Sequence, residues 1–130
     1  MNPSIDLVPI NHALTLRNHG FAENTDYTYY RLPDGDIKPH FIHYPENIIV
    51  VRAPYFQEVF RWFRVNHNID KCIDHMVVEG SADTQKRYFY QITIKHKGLF
   101  INSIYVQDMY ETYENAELAC LEKLIEIISG

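Results

Sequence analysis

The fold class this chain predicts is α+β: one antiparallel sheet of four to six strands packed against helices. Three observations carry it. Apolar side chains recur at helical spacing in two segments, Phe56, Val59, Phe60 and Phe63 in one and Leu118, Leu121, Leu124, Ile125 and Ile128 in the other. The run Arg87 to Lys97 alternates with period two. Turn residues such as Pro33-Asp34-Gly35-Asp36 join neighbouring strand-like runs directly, which favours hairpins over the crossovers of a parallel sheet. The resulting order is α-β-β-(β)-α-β-β-β-α.

Pro9 suits a helix start, where its missing N–H costs nothing. Ile10, Ala13, Leu14 and Arg17 continue at helical spacing to Gly20, a natural terminator, which predicts a helix over 9–18. Phe21 is expected to fold back onto Leu14 or Ala13. Tyr27–Leu32 reads as a strand, and Ile37–Tyr44 as its return, with Pro39 placing that return at a sheet edge because it cannot donate to the ladder. The β-branched run Ile48-Ile49-Val50-Val51 reads as a buried strand.

Pro54 opens the central helix, over about 54–67, with Gln57, Arg61 and Arg64 opposite its apolar stripe. Lys71–Glu79 reads as a strand and Gly80–Gln85 as a polar loop. In the strand 87–97, Tyr88, Tyr90, Ile92 and Ile94 fall on one face and Phe89, Gln91, Thr93, Lys95 and Lys97 on the other. Gly98 ends it and Leu99–Val106 returns. Thr112 is the expected N-cap of a closing helix over about 113–128, with Glu114 and Glu117 suited to the positive end of its dipole.

At 130 residues the chain is expected to form a single domain, 1–130, able to bury roughly two thirds of its unfolded surface without a metal or disulfide staple. Two cysteines, Cys72 and Cys120, are too few for a disulfide framework. The first residues lack a basic and apolar leader, and no apolar run approaches a membrane span, so a cytoplasmic protein without membrane contact is expected. The net charge of −5 disfavours sequence-blind nucleic-acid binding by the whole molecule. Charge is uneven, however: residues 51–100 hold 8 basic and 5 acidic side chains, and residues 101–130 hold 1 and 6.

Catalytic and metal motifs are absent from the sequence. His40 and His43, and likewise Cys72 and His75, stand three apart on predicted strands, a spacing that sends side chains to opposite faces and spoils a ligand pair. There is no Gly-x-Ser-x-Gly elbow and no glycine-rich phosphate loop. Asp34 and Asp36 are explained by turn geometry. No catalytic residue, metal ligand or cofactor is therefore assigned.

Two surfaces remain as binding candidates. Arg61, Trp62 and Arg64 combine the residue types enriched at binding hot spots; the competing reading has Trp62 widen the buried stripe, with the arginines solvated or paired to Glu58. Arg87, Phe89, Lys95 and Lys97 could stack on and neutralise a single nucleic-acid strand; the competing reading is an ordinary solvated sheet face.

Ala53-Pro54-Tyr55-Phe56-Gln57-Glu58-Val59-Phe60-Arg61-Trp62-Phe63-Arg64 and Thr112-Tyr113-Glu114-Asn115-Ala116-Glu117 resemble segments of a loose family of small uncharacterised proteins from bacterial phages, prophages and mobile elements. The segment Leu16–Phe21, ending in Gly-Phe, is similar to that family's first helix. The resemblance implies a mobile-element origin and brings no catalytic residue. The order helix, three strands, helix is also similar to double-stranded-RNA-binding domains, but Glu111, Glu114 and Glu117 stand where such a domain carries its phosphate-gripping cluster.

The expected function is a non-enzymatic binding or accessory module acting through protein contacts, with self-association included. Single-stranded nucleic-acid binding is the alternative, and an enzyme of unknown class the third.

Overall fold

The computed structural model describes residues 6–41, 47–79, 84–96, 99–105 and 108–130, with side chains over 6–41, 47–77, 86–95 and 108–130. The elements are α1 (Ile10–Asn18), β1 (Tyr27–Arg31), β2 (Ile37–His40), β3 (Ile48–Ala53), α2 (Phe56–His67), β4 (Ile69–Glu79), β5 (Thr84–His96), β6 (Leu99–Tyr105) and α3 (Tyr113–Ser129). The class is α+β, in the expected element order. The strands are not gathered in one sheet: they form two antiparallel sheets of three, ordered β2-β1-β3 and β4-β5-β6. The central strand β5 is flanked by its sequence neighbours β4 and β6, whereas β1 pairs with its neighbour β2 on one edge and, beyond β2 in sequence, with β3 on the other. By contacts the chain divides into two compact units, Met1–Val59 and Phe60–Gly130, with the boundary inside α2.

In the first unit, α1 ends in a Schellman motif. The Phe21 N–H donates to the Leu16 carbonyl and the Gly20 N–H to the Arg17 carbonyl, both at 3.0 Å. Gly20 has φ +98, which a residue without Cβ adopts freely. The motif turns Phe21 inward, and Leu16 and Phe21 are both buried. The β1–β2 turn is fixed by Asp34, whose Oδ1 accepts from the Asp36 N–H at 2.9 Å, and by Gly35 at φ +93. Pro39 lies on the edge strand β2, opposite Tyr29. The segment before α1 is anchored by the Val8 N–H, donating to the Pro54 carbonyl at 2.9 Å, and by the Tyr29 hydroxyl, donating to the Val8 carbonyl at 2.6 Å. Burial raises the Tyr29 pKa.

β3 departs from the buried strand expected of Ile48-Ile49-Val50-Val51. It is an edge strand, and Ile48 and Ile49 are 66% and 57% exposed. Its register against β1 passes from Tyr29↔Val51 to Tyr30↔Ile49, leaving Val50 without an opposite number. This is a β-bulge, which shifts the following side chains relative to the pleat. Only Val51 and Ala53 of this strand are buried.

In the second unit, Phe60, Trp62 and Phe63 on α2 are buried. The start of α2, which belongs to the first unit, carries half a capping box: Glu58 Oε1 accepts from the Tyr55 N–H at 2.9 Å. Asn68, at φ +56, turns the chain into β4, and its carbonyl accepts from the Lys95 N–H at 2.9 Å. Asn tolerates this left-handed conformation better than most residues. The sheet pairs Lys71 with Ile92, Ile73 with Tyr90 and His75 with Tyr88, so these residues share one face. α3 packs there: the Tyr113 ring meets Tyr88 edge-on at 6.1 Å. Thr112 caps α3, its Oγ1 accepting from the Asn115 N–H at 3.1 Å. The buried stripe of α3 is Ala116, Glu117, Cys120, Leu121 and Leu124.

Candidate binding site

The structure separates the three residues of the first candidate surface. Arg61 and Arg64 are exposed, whereas Trp62 is only 5% exposed. Its ring meets Phe63 at 5.0 Å and His67 at 4.8 Å, both edge-on. An apolar stripe wider than 100° of helix takes Trp62 inside. Val65 is the exposed apolar residue beside the arginines, 63% accessible. Glu58 is held at the helix start rather than by an arginine.

The second candidate face does assemble on β5, but with neighbours the strand alone does not reveal. Asp70 stands opposite Thr93, Cys72 opposite Gln91, Asp74 opposite Phe89 and Met76 opposite Arg87. Directly opposed residues share a face. The surface therefore interleaves Asp70 and Asp74 with Arg87 and Lys95, and its charge is mixed. A shallow hollow of about 170 Å³ lies among Asp70, Lys71, Cys72, Gln91, Thr93 and Lys95. The side chain of Lys97 lies outside the described residues.

Among the described residues, no three His, Cys, Asp or Glu side chains gather as a metal site would require. Cys72 and Gln91 share one face of the sheet and His75 and Tyr88 the other, and the His75 and Tyr88 rings lie 5.9 Å apart. His43 lies outside the described residues. Cys120 is fully buried, and burial, reinforced by Glu117 and opposed by Lys71, pushes its thiol up to about 12. A thiol so disposed is no nucleophile near neutrality. Burial likewise pushes the Tyr90 phenol up to about 12, with Tyr110 the next contributor. No helix among the described residues is long and apolar enough to cross a membrane.

A third site, which the sequence did not reveal, lies in the first unit between α1 and the edge strand β3. It is a groove of about 310 Å³, within the size range of small binding sites, lined by Ala13, Arg17, Phe21, Ala22, Ile49, Val50, Val51 and Arg52. Two arginines brace it from opposite sides. Arg17 reaches from α1 to the strand, Nη1 donating to the Val50 carbonyl at 3.2 Å. Arg52 reaches back from the strand, Nη1 donating to the Ala22 carbonyl at 2.7 Å. The carbonyl that Arg17 takes belongs to the bulged residue. In the sequence, the only traces of this groove are the Gly-Phe helix end and a β-branched run followed by arginine. The bulge that exposes Ile48 and Ile49 has no sequence mark of its own.

No protein-family model, no curated protein and no solved structure matches this chain.

Proposed function

We propose that the protein is a non-catalytic binding module acting through protein contacts, and that its site is the outer edge of β3 with the groove beside α1. One observation carries this reading: an edge strand presents Ile48 and Ile49 more than half exposed, next to a groove with apolar walls. An edge strand is a template for an added strand, and a neighbouring groove gives alternate side chains of the incoming segment somewhere to bury. Burying an isoleucine-sized side chain contributes about 1.5–3 kcal/mol, and backbone hydrogen bonds along the strand edge add to this in offsetting the cost of association. The resemblance of the α2 and α3 segments supports a mobile-element origin for the module.

The reading is tested by selecting a library of random twelve-residue peptides on the folded protein. The expected result is enrichment of peptides with apolar residues at alternate positions, which lose binding to Ile49→Lys. No enrichment over a blank surface, or enriched peptides that bind Ile49→Lys unchanged, would refute it.

A further inference from the structure

We infer that the segment received by the α1–β3 groove carries a carboxylate flanked by apolar side chains, read by Arg17 and Arg52. The inference rests on the protein-binding reading above and adds the chemistry of the partner. Ala13, Phe21, Ala22, Ile49 and Val51 give the groove apolar walls, and among the described residues the charged side chains lining it are the two arginines.

Each guanidinium spends an N–H on a backbone carbonyl, Val50 for Arg17 and Ala22 for Arg52. A guanidinium has five N–H donors in a rigid fork, so four remain on each side chain. The anchoring contacts fix the forks before any ligand arrives, which lowers the ordering cost of binding. Among the described residues, neither Arg17 nor Arg52 forms an ion pair with a carboxylate. Both arginines are exposed, so their free N–H groups are open to an incoming carboxylate, and charge-assisted hydrogen bonds of this kind are stronger than neutral ones.

Charge complementarity also selects against the opposite choice. Residues 1–59 hold four basic and seven acidic side chains, so Arg17 and Arg52 are a local basic pair on an otherwise acidic unit. A cationic segment would set its charge against Arg17 and Arg52.

The test uses the peptides selected above on the intact protein, each compared with a version whose Asp and Glu are replaced by Asn and Gln. The expected result is carboxylate-bearing peptides that shift the backbone amide signals of Ala13, Ala22, Val50 and Arg52, and bind at least about tenfold more tightly than their amide versions, the usual worth of a charged hydrogen bond. Arg17→Gln and Arg52→Gln, each checked for a native spectrum, should abolish that preference. The wild-type comparison decides the matter even if a variant misfolds. Groove-bound peptides indifferent to the replacement would overturn the carboxylate inference and leave the protein-binding reading standing. Failure to obtain any groove-bound peptide would remove both. Displacement of the peptide by octanoate at equal affinity would overturn the assignment of the carboxylate to a protein segment.

Discussion

Arg52 donates from Nη1 to the carbonyl of Ala22 at 2.7 Å, joining β3 to the segment that follows α1 across thirty positions of sequence. Its counterpart runs the other way, from Arg17 to Val50. Together they tie α1 and the segment after it to β3 across the groove that Ile49 and Phe21 also line. Long side chains with charged tips do this well, because the stem packs along apolar surface while the head is satisfied by backbone carbonyls.

The contrasting fates of Trp62 and its arginines set a first prediction. Trp62→Ala should lower unfolding free energy by about 3–5 kcal/mol, the usual cost of truncating a buried aromatic. Arg61→Ala and Arg64→Ala should each stay within about 0.5 kcal/mol. Urea unfolding with an unchanged slope measures both. A Trp62→Ala variant as stable as wild type would mean that the indole is available for contacts outside the core.

Gly20 gives a second. An added Cβ would meet no atom within 4 Å, so packing does not penalise Gly20→Ala. The φ of +98 does, by about 1–2 kcal/mol, through the clash of Cβ with its own backbone. Because the motif turns Phe21 toward the groove, the amide signals of Ala13 and Ala22 should move as well. A stability change below about 0.3 kcal/mol would show that the α1 terminus rearranges without strain.

The two thiols should differ sharply. Cys72 is exposed and Cys120 buried. An aromatic disulfide reagent at pH 8 should modify one thiol per chain in the native state and two in denaturant. The folded Cys120 thiol, at about 12, lies above its ordinary value of 9.0, so above pH 9 the unfolded chain sheds its proton first. Stability from this group is complete below pH 9 and falls as pH rises toward 12. Tyr90, raised from 10.0 to about 12, adds to the loss over pH 10–12. Thermal melts across pH 8–11 should show a midpoint that falls mainly above pH 9, less steeply in Cys120→Ala once its lower starting stability is subtracted. A midpoint independent of pH over that range would contradict the assignment.

The mixed charge of the open β4–β5 face gives a fourth. Asp70 and Asp74 lie among Arg87, Phe89 and Lys95, so wild-type protein should show no salt-sensitive binding to an oligothymidylate at 50 mM salt. Asp70→Lys combined with Asp74→Lys should create binding that weakens steeply by 200 mM salt. Fluorescence anisotropy of a labelled strand reports both. Tight, salt-sensitive binding by the wild type would restore the nucleic-acid reading of this face.

Local physics made much of the fold legible. The period of Phe56, Val59, Phe60 and Phe63 defines an amphipathic helix wherever it sits, because 3.6 residues per turn stack those side chains on one face. The same holds for the alternation around Tyr90 and Ile92, the turn at Gly35, the terminator Gly20 and the cap Thr112, each of which acts within a few residues of itself.

What lay beyond such reach was decided by partners distant in sequence. Whether six strands make one sheet or two depends on which edges pair, and backbone hydrogen bonds carry no side-chain label. Whether Ile48 and Ile49 are buried depends on a bulge at Val50 and on the absence of a further strand outside β3 among the described residues. The charge of the Phe89 face was set by the register that brings Asp70 and Asp74 across from β5. The sequence alone determined the elements, because helix and strand periodicity, caps and turns are short-range. Tertiary structure alone decided the groove and its two arginines, because a site is made by juxtaposition, and here α1 and β3 lie thirty residues apart.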